Sequence, residues 1–287
     1  MKKWGIYIFL ALVWGSSFIL IKKGLIAFTP YQIAGLRILI AAGVLAPFIL
    51  GRAKEVKPEA WKYIFLIGIV GNAIPAFLFP LAEQKISSAS AGILNVLSPV
   101  FTMILGVLFF QLKGKVRQGI GILLGFGGAV GLILAGDGEV DIISQLLYAG
   151  FVVLATVGYG LSTNIMKRYL SDTPAVLASG FGLAFVSIPY IFYLFFFAEL
   201  PQTFAEQPHA WTSLGYIFIL GAMGTAIALV LFYRLVQITE PIFSSSVTYV
   251  IPIVALALGL MDGETITAGQ IGFMLVILAG VYLVNRK

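Results

Sequence analysis

Long apolar segments alternate with short polar connections along the whole chain. An α-helix needs about 20 apolar residues to cross the hydrocarbon core of a bilayer, and ten segments approach that length. The pattern therefore predicts ten membrane-spanning helices joined by connections too short for a soluble domain. The predicted spans are Trp4–Ile21, Tyr31–Leu50, Trp61–Ala82, Ser88–Phe110, Gln118–Ala135, Leu146–Met166, Ala175–Phe197, Trp211–Tyr233, Ile242–Leu260 and Ala268–Val284.

The composition supports this interpretation and excludes other classes. Of the 287 residues, 60% are hydrophobic and only 10% are charged, whereas a soluble domain carries about 25% charged residues. The mean hydropathy is +1.03. There is no cysteine, and His209 is the one histidine. We therefore expect no disulfide, no metal site, no cofactor and no binding to nucleic acid.

Positive residues are unevenly divided between the predicted loops. With a cytoplasmic N-terminus, fourteen Lys and Arg face the cytoplasm, three face outward, and Arg37 lies within span two. Because Lys and Arg are enriched in cytoplasmic loops, the sequence predicts a multi-pass protein of the cell membrane with both termini cytoplasmic. The fourteen are Lys2, Lys3, Arg52, Lys54, Lys57, Lys62, Lys113, Lys115, Arg117, Lys167, Arg168, Arg234, Arg286 and Lys287; the three are Lys22, Lys23 and Lys85.

The two halves of the chain share residues at a nearly constant offset. A shift of 153 residues pairs Gly, Pro and Gln positions, and the shift is 144–145 near the start of each half. The pairs include Gly15 with Gly160, Ser17 with Ser162, Gly71 with Gly224, Phe79 with Phe232, Gln84 with Gln237, and Pro99 with Pro252. The predicted repeats are residues 1–136 and 142–287.

Each repeat contains five spans, so the second copy must enter the membrane from the opposite face. The expected fold is an all-α integral membrane protein with ten transmembrane helices arranged as two inverted five-helix repeats. Such repeats are common in secondary transporters, which bind substrate near the bilayer midplane between the halves.

Several short motifs stand at fixed places in these spans. They are Trp14-Gly15-Ser16-Ser17-Phe18, Arg37, Leu97-Ser98-Pro99-Val100, Val250-Ile251-Pro252-Ile253 and Asp262-Gly263-Glu264. With the duplication, they resemble the drug/metabolite transporter superfamily, specifically its ten-helix members with two EamA domains. The resemblance covers essentially the whole chain and implies a small-molecule exporter in the cytoplasmic membrane. The chain departs from symmetry at Glu264, whose equivalent in the first half is Gln111.

Polar side chains inside a bilayer are costly and mark candidate functional positions, although they also form hydrogen bonds between helices. Arg37 lies about six residues into span two. One interpretation is an anion hook for a substrate carboxylate, which the forked guanidinium suits. The alternative is that its long side chain reaches the outer membrane interface or pairs with backbone carbonyls.

Spans four and nine each carry polar residues beside a proline. Asn95 precedes Pro99, and Thr248 and Tyr249 precede Pro252. Proline removes a backbone hydrogen bond and bends a helix, which frees a carbonyl. We expect the polar residues to line a cavity and both prolines to act in gating; tight helix packing is the alternative.

Three other spans complete the predicted substrate site. Trp14 lies near the centre of span one with Ser17 almost one turn further on, and Tyr159 is the equivalent of Trp14 in span six. Asn72 lies beside Gly71 in span three. Interhelical packing is again the alternative. The full set is Trp14, Ser17, Arg37, Asn72, Asn95, Tyr159, Thr248 and Tyr249.

The sequence thus predicts a secondary transporter, and not an enzyme, that exports small metabolites by alternating access. Amino acids or similar polar compounds are the first expectation. An uptake carrier, or a drug or nucleotide-sugar transporter of the same architecture, is the alternative. The expected partners are a small-molecule substrate and the lipid bilayer, and the expected state is a monomer or weak homodimer. Protons remain a candidate coupling ion beside uniport, because carboxylates occur only near span ends, at Glu83, Glu240, Asp262 and Glu264.

Overall fold

The computed structural model of the chain is a helical bundle. It describes residues 3–111, 116–135, 142–239, 244 and 246–285, and no β-strand occurs in these ranges. The α-helices are α1 Lys3–Gly24, α2 Pro30–Ile49, α3 Trp61–Gly68, α4 Ile74–Ala82, α5 Ser88–Leu94, α6 Ser98–Phe109, α7 Val116–Leu134, α8 Ile142–Tyr169, α9 Ala175–Phe196, α10 Leu200–Glu206, α11 Ala210–Ile219, α12 Ala228–Ile238, α13 Ile251–Met261 and α14 Ala268–Asn285.

Eight helical stretches in the described part of the chain are long and apolar enough to cross a membrane. They are Lys3–Gly24, Pro30–Ile49, Pro58–Ala82, Ser88–Phe109, Val116–Leu134, Ile143–Tyr169, Ala175–Phe196 and Ala210–Ile238. Two shorter apolar helices follow, at Val247–Met261 and Ala268–Leu283. The all-helical, membrane-spanning class is therefore supported, while the count of ten spans and the inverted arrangement stay predictions. The boundary at 136–141 and Glu240 lie outside the described residues.

The connection around residues 199–210, predicted as a loop, contains the short helix α10. Its Phe204 ring packs edge to face on Phe28, with ring centroids 5.6 Å apart. The start of α2 is held nearby, because Gln32 forms a capping box with Thr29 and donates to the Ala198 carbonyl at 2.6 Å. These contacts fix the end of α9 against the start of α2.

Spans three and eight are not regular α-helices. Between α3 and α4 the chain forms a π-helical segment, Ile69–Ala73, and between α11 and α12 it forms a second one, Leu220–Ile227. A π-turn leaves backbone groups out of the usual ladder, and such turns often mark functional positions. Both segments lie at positions related by the 153-residue offset.

Spans four and nine are interrupted directly before their prolines. A 3-10 turn, Asn95–Leu97, separates α5 from α6, and Pro99 stands in the first turn of α6. A second 3-10 turn, Ser246–Tyr249, precedes α13, where Pro252 stands in the first turn. Proline is tolerated at a helix start because the N–H it lacks has no intrahelical partner there.

Glycines bring the spans into close contact. A Cβ at Gly15 of α1 would overlap Val254 of α13, and a Cβ at Gly160 of α8 would lie 2.8 Å from the carbonyl carbon of Phe101 in α6. Small residues allow membrane helices to approach closely. Helices α7 and α14 are joined in the same way, with Gly128 against Ile277. This packing leaves an open space among the other spans.

Candidate substrate cavity

One cavity lies among α1, α2, the two π-containing spans, α5–α6, α8 and the turn before α13. Its open volume, including the solvent at its mouth, is about 970 Å³. Seven of the eight predicted substrate residues line it: Trp14, Ser17, Arg37, Asn72, Asn95, Tyr159 and Thr248.

Among the described residues, Arg37 is the only Lys or Arg that lines this cavity. Its side chain is buried, with 8% of its surface exposed, so it does not reach for the membrane interface. Its Nε donates to the Thr225 hydroxyl at 2.7 Å, which fixes the guanidinium. No acceptor among the described residues lies within hydrogen-bonding distance of its two terminal nitrogens. The fork is therefore available to a bound group.

Aromatic pairs flank the cavity on two sides. Trp14 contacts Phe232 edge to face, with ring centroids 5.0 Å apart, and its indole N–H donates to the Gly224 carbonyl at 3.0 Å. Tyr159 stacks on Phe79 with centroids 6.0 Å apart. Under the repeat offsets, Tyr159 is equivalent to Trp14 and Phe79 to Phe232. Equivalent aromatic residues of the two halves are therefore in ring contact, edge to face in one pair and stacked in the other.

The π-helical segments each present a polar side chain to the cavity. Asn72 donates from Nδ2 to the Ile67 carbonyl at 3.1 Å, and the Thr225 hydroxyl donates to the Leu220 carbonyl at 3.1 Å. In both cases the acceptor lies five residues earlier. Asn72 and Thr225 are offset partners, so the same side-chain-to-backbone bond across five residues occurs in both π-containing spans.

The kink at Pro99 does not expose a free carbonyl, contrary to the sequence expectation. Pro99 cannot donate to the Asn95 carbonyl, but the Ser98 hydroxyl does so at 2.7 Å. Ser98 and Thr102 also line the cavity, and the Thr102 carbonyl accepts from Asn164 Nδ2 at 2.8 Å. The polar surface of this span therefore consists of side chains, with the backbone satisfied.

Tyr249 is not part of the lining. Its hydroxyl donates to the Val281 carbonyl of α14 at 3.0 Å. Thr248, its neighbour in the 3-10 turn, does line the cavity. Successive residues of such a turn point in different directions, about 120° apart at three residues per turn, which separates the two side chains.

The end of the bundle where α1 terminates is closed by ion pairs. Lys22 contacts Asp262 at 2.7 Å and Glu264 at 2.9 Å, and Lys23 also pairs with Asp262. Glu264 accepts from the Ser88 hydroxyl at 2.7 Å at the start of α5. We call Lys22, Lys23, Asp262 and Glu264 the Lys22 cluster. It ties α1, α5 and the loop after α13 together.

Contacts at the Lys22 cluster lower the pKa of both of its carboxyl groups. Hydrogen bonds from Lys22 and Lys23 lower the pKa of the Asp262 carboxyl. Burial alone would raise the pKa of Glu264, but hydrogen bonds from Ser88, Lys22 and the backbone N–H of Ala89 outweigh it and hold that pKa below its usual range. Both groups are therefore ionised at neutral pH.

At the opposite end of the bundle, the helices are held together by hydrogen bonds to backbone carbonyls. Lys167, the offset partner of Lys22, donates to the carbonyls of Val236 and Thr239 at 3.2 and 3.0 Å. Gln237 donates to the Thr173 carbonyl at 2.7 Å. The Lys22 end thus uses carboxylates where the Lys167 end uses backbone carbonyls.

Comparison with known proteins identifies the family. The sequence profile of the EamA-like transporter family matches residues 2–134 and 146–286. The chain belongs to this family. It is 27% identical to an uncharacterized transporter of Archaeoglobus fulgidus over all of both chains. It is 26% identical to the uncharacterized inner membrane transporter YedA of Escherichia coli K12, over 97% of this chain and 91% of YedA.

A solved structure supports the fold. A crystal structure 17% identical in sequence has a TM-score of 0.67 and covers 97% of this chain and 94% of that one. The protein is thus a multi-pass membrane transporter of the EamA-like family, and the resemblance noted from the sequence is confirmed. The family names no substrate.

Several cavity residues were not singled out from the sequence. Phe79, Phe232 and Tyr233 line the cavity, and the Tyr233 and Ser162 hydroxyls lie 2.9 Å apart. With 23 Phe and 12 Tyr in the chain, aromatic residues within apolar spans do not stand out. The usable signal was the 153-residue offset, which pairs Phe79 with Phe232.

Proposed function

We propose that this EamA-like transporter exports small polar metabolites, amino acids first, by alternating access between two inverted repeats. The observation that carries the proposal is the Arg37 fork. It is buried, fixed by Thr225, and faces a cavity enclosed by helices of both halves. A fixed guanidinium with open donors suits a carboxylate, which it can bind through two parallel hydrogen bonds.

The other residues of the cavity lining indicate which class of substrate the cavity fits. Asn, Ser, Thr and Tyr side chains supply hydrogen bonds, and none of the described lining residues is Asp or Glu. A cationic drug would meet Arg37 with no carboxylate in the lining to offset the repulsion between like charges. A zwitterionic or anionic metabolite fits this lining better.

The inverted repeat is supported by contacts that recur at offset-equivalent positions. Gly15 meets Val254 in the first case, and Gly160 meets Phe101 in the second; Gly15 is paired with Gly160, and Phe101 lies 153 residues before Val254. The aromatic pairs and the two π-segments repeat in the same way. The family profile also matches two separate stretches. Two similar halves in opposite orientation can exchange conformations, which is the physical basis of alternating access.

Orientation is part of the proposal. The distribution of Lys and Arg supports cytoplasmic termini, and in this orientation the Lys22 cluster lies at the outer face and Lys167 at the inner face.

The test is a resistance assay joined to transport in proteoliposomes. Cells that express the protein should tolerate toxic amino-acid analogues better than vector controls, and Arg37→Ala should remove the protection. Arg37→Lys keeps the charge but loses the fork, so it should restore little. Arg52→Ala is the matched control, because Arg52 is bound to Glu55 in an exposed loop.

The alternatives give different outcomes. Faster uptake of amino acids by expressing cells, dependent on Arg37, would replace export with import. Resistance to lipophilic cations alone, retained by Arg37→Ala, would overturn both the cargo class and the role of Arg37.

A further inference from the structure

Glu83 is the one Asp or Glu of the described residues whose carboxyl oxygens are both buried with no hydrogen-bond partner. It directly follows α4, in helical backbone geometry, one turn beyond Phe79. Residues four apart lie on the same helix face, and Phe79 lines the cavity. The carboxyl therefore lies between the cavity and the Lys22 cluster, where the bundle is closed.

The elements around this carboxyl each contribute a charged or aromatic side chain. Helix α1 contributes Lys22, α2 contributes Arg37, and the loop after α13 contributes Glu264, all of which act on Glu83 through their charges. From α8, Tyr159 stacks on Phe79. Neither cation pairs with Glu83 in this structure: Lys22 is bound by Asp262 and Glu264, and neither Glu83 carboxyl oxygen has a hydrogen bond from Arg37.

Burial makes the ionised form of such a group expensive. An unpaired charge without hydrogen bonds costs several kcal/mol to bury, and proteins avoid this by keeping the group neutral. Burial and the negative charge of Glu264 raise the pKa of the Glu83 carboxyl well above its usual range, and Arg37 and Lys22 offset only part of this.

The repeat indicates that the carboxyl is not needed for packing. The 153-residue offset places Val236 at the position equivalent to Glu83, and Val236 is fully buried. The fold thus accepts an apolar side chain there. Arg37 is another departure from symmetry, since its equivalent is Phe181. Glu83 and Arg37 both lie in the first half, and their charges act on one another.

We propose that Glu83 is the proton-binding residue of this transporter, neutral while the Lys22 cluster is closed and able to release its proton when the cluster opens. Opening would admit water and separate Lys22 from Asp262 and Glu264. The Glu83 carboxyl then passes its proton to water, and the carboxylate is stabilised by solvent and by the nearby ammonium group of Lys22. This step rests on the alternating access proposed above.

Proton binding also affects the cavity. A protonated Glu83 leaves the charge of Arg37 uncompensated, whereas an ionised Glu83 offsets it. An anionic group at Arg37 should therefore bind more tightly when Glu83 carries its proton, and by linkage that group should raise proton affinity to the same extent.

The first test needs no substrate. Infrared difference spectra of the purified protein, recorded as pH is raised, should show the C=O band of a protonated carboxyl that disappears well above the usual carboxyl range. The band should be absent in Glu83→Gln and in Glu83→Val, the latter being the residue the chain itself places at the equivalent position. Glu83→Asp should keep a titrating band, and Glu59→Gln, in an exposed loop, should leave the spectrum unchanged. A wild-type spectrum without the band, or a band that survives Glu83→Gln, would overturn the proposal.

The second test measures coupling. Proteoliposomes are assayed with labelled alanine and labelled glutamate, a zwitterion and an anion, with and without a pH gradient. The gradient should change net transport in the wild type and have no effect in Glu83→Gln. Transport that ignores the gradient in the wild type, or that keeps its full response in Glu83→Gln, would contradict a coupling role. Failure to transport either compound counts against the proposed cargo, while the infrared titration still decides the proton site.

Discussion

At the scale of single residues, the cavity depends on contacts that leave no room for an extra methyl group. A Cβ at Gly71 would overlap the Ser162 side chain, and a Cβ at Gly224 would lie 3.0 Å from the Ser17 hydroxyl. These glycines belong to the two π-segments, and the serines belong to α8 and α1. The offset pairs Gly71 with Gly224 and Ser17 with Ser162. In each half, the serine therefore packs against the glycine of the other half.

Gly71→Ala should therefore destabilise the protein. Ser162 cannot move away without losing its hydrogen bond to Tyr233, and overpacking of this kind costs about 1–3 kcal/mol. The measurement is the midpoint of thermal unfolding in detergent. Ser162→Gly added to Gly71→Ala should recover part of the loss.

A matched control is Gly43→Ala in α2, where a Cβ would meet nothing within 4 Å. Alanine is the better helix former at such a site, so stability should stay level or rise. Equal destabilisation by Gly43→Ala and Gly71→Ala would show that contact with Ser162 is not the cause.

Much of the cavity lining could be predicted from the sequence, because polar residues are conspicuous in apolar spans. Arg37, Asn72 and Asn95 were identified in this way, and the offset added Tyr159. The sequence predicts Tyr249 as part of the polar face of span nine that also carries Thr248, and it does not indicate that Tyr249 turns toward Val281. Glu83 was noted only as a carboxylate near a span end; its burial depends on how α1, α2 and the loop after α13 converge.

At the scale of elements, the existence of the spans was predictable and their internal irregularities were not. A helix surrounded by lipid and other helices is apolar on all sides, so its sequence has no polar face whose phase would reveal a π-turn. The segments Ile69–Ala73 and Leu220–Ile227 are therefore invisible to periodicity. Proline does leave a visible signal, and both interruptions at spans four and nine were expected.

Pro99→Ala should bias the transporter toward one conformation. Alanine supplies an N–H for the Asn95 carbonyl, in competition with the Ser98 hydroxyl, and favours a continuous helix over the 3-10 turn. A net hydrogen bond of about 1 kcal/mol changes a two-state ratio about fivefold. Transport of labelled amino acid should fall by a similar factor, while the unfolding temperature stays close to that of the wild type.

The control for the proline is Pro189→Ala. Pro189 lies inside α9, outside the cavity lining, so its replacement should leave transport intact. Loss of transport in both variants, or in neither, would assign Pro99 a passive role.

At the scale of the whole molecule, the absence of cysteine from the 287 residues allows single cysteines to report topology without background. Gln202 in α10 and Lys57 in the loop before α3 are both exposed, and the charge distribution predicts that they lie on opposite sides of the membrane. A membrane-impermeant maleimide added to intact cells should label Gln202→Cys and leave Lys57→Cys unlabelled until the cells are opened. The reverse labelling pattern would show that the orientation is opposite to the one proposed. Labelling of both cysteines from one side would contradict the inverted repeat.

The two ends of the bundle should also respond differently to pH. The lowered pKa values of Asp262 and Glu264 mean that the Lys22 cluster stabilises closure above the ordinary carboxyl pKa of about 4, and that this stabilisation is lost as pH falls through the lower values of the closed state. The contribution of Glu83 to closure depends on pH in the opposite direction. Its raised pKa stabilises closure below its ordinary value, and this stabilisation is lost as pH rises toward the raised value.

Closure at the Lys22 end should therefore be strongest in mildly acidic solution and weaken on either side. The reporter is Ser17→Cys, a small change in the cavity lining, labelled in sealed vesicles from the side on which Gln202→Cys reacts. Division by the rate at Gln202→Cys removes the intrinsic pH dependence of thiol reactivity. The normalised rate should rise as the pH climbs well above the usual carboxyl range, because Glu83 ionises, and Glu83→Gln should abolish that rise. It should also rise below about pH 4 in both proteins, because the carboxylates that bind Lys22 become protonated. A rise at high pH that persists in Glu83→Gln would assign the response to another group, and a rate that is constant at all pH values would mean that neither Glu83 nor the Lys22 cluster controls access to the cavity.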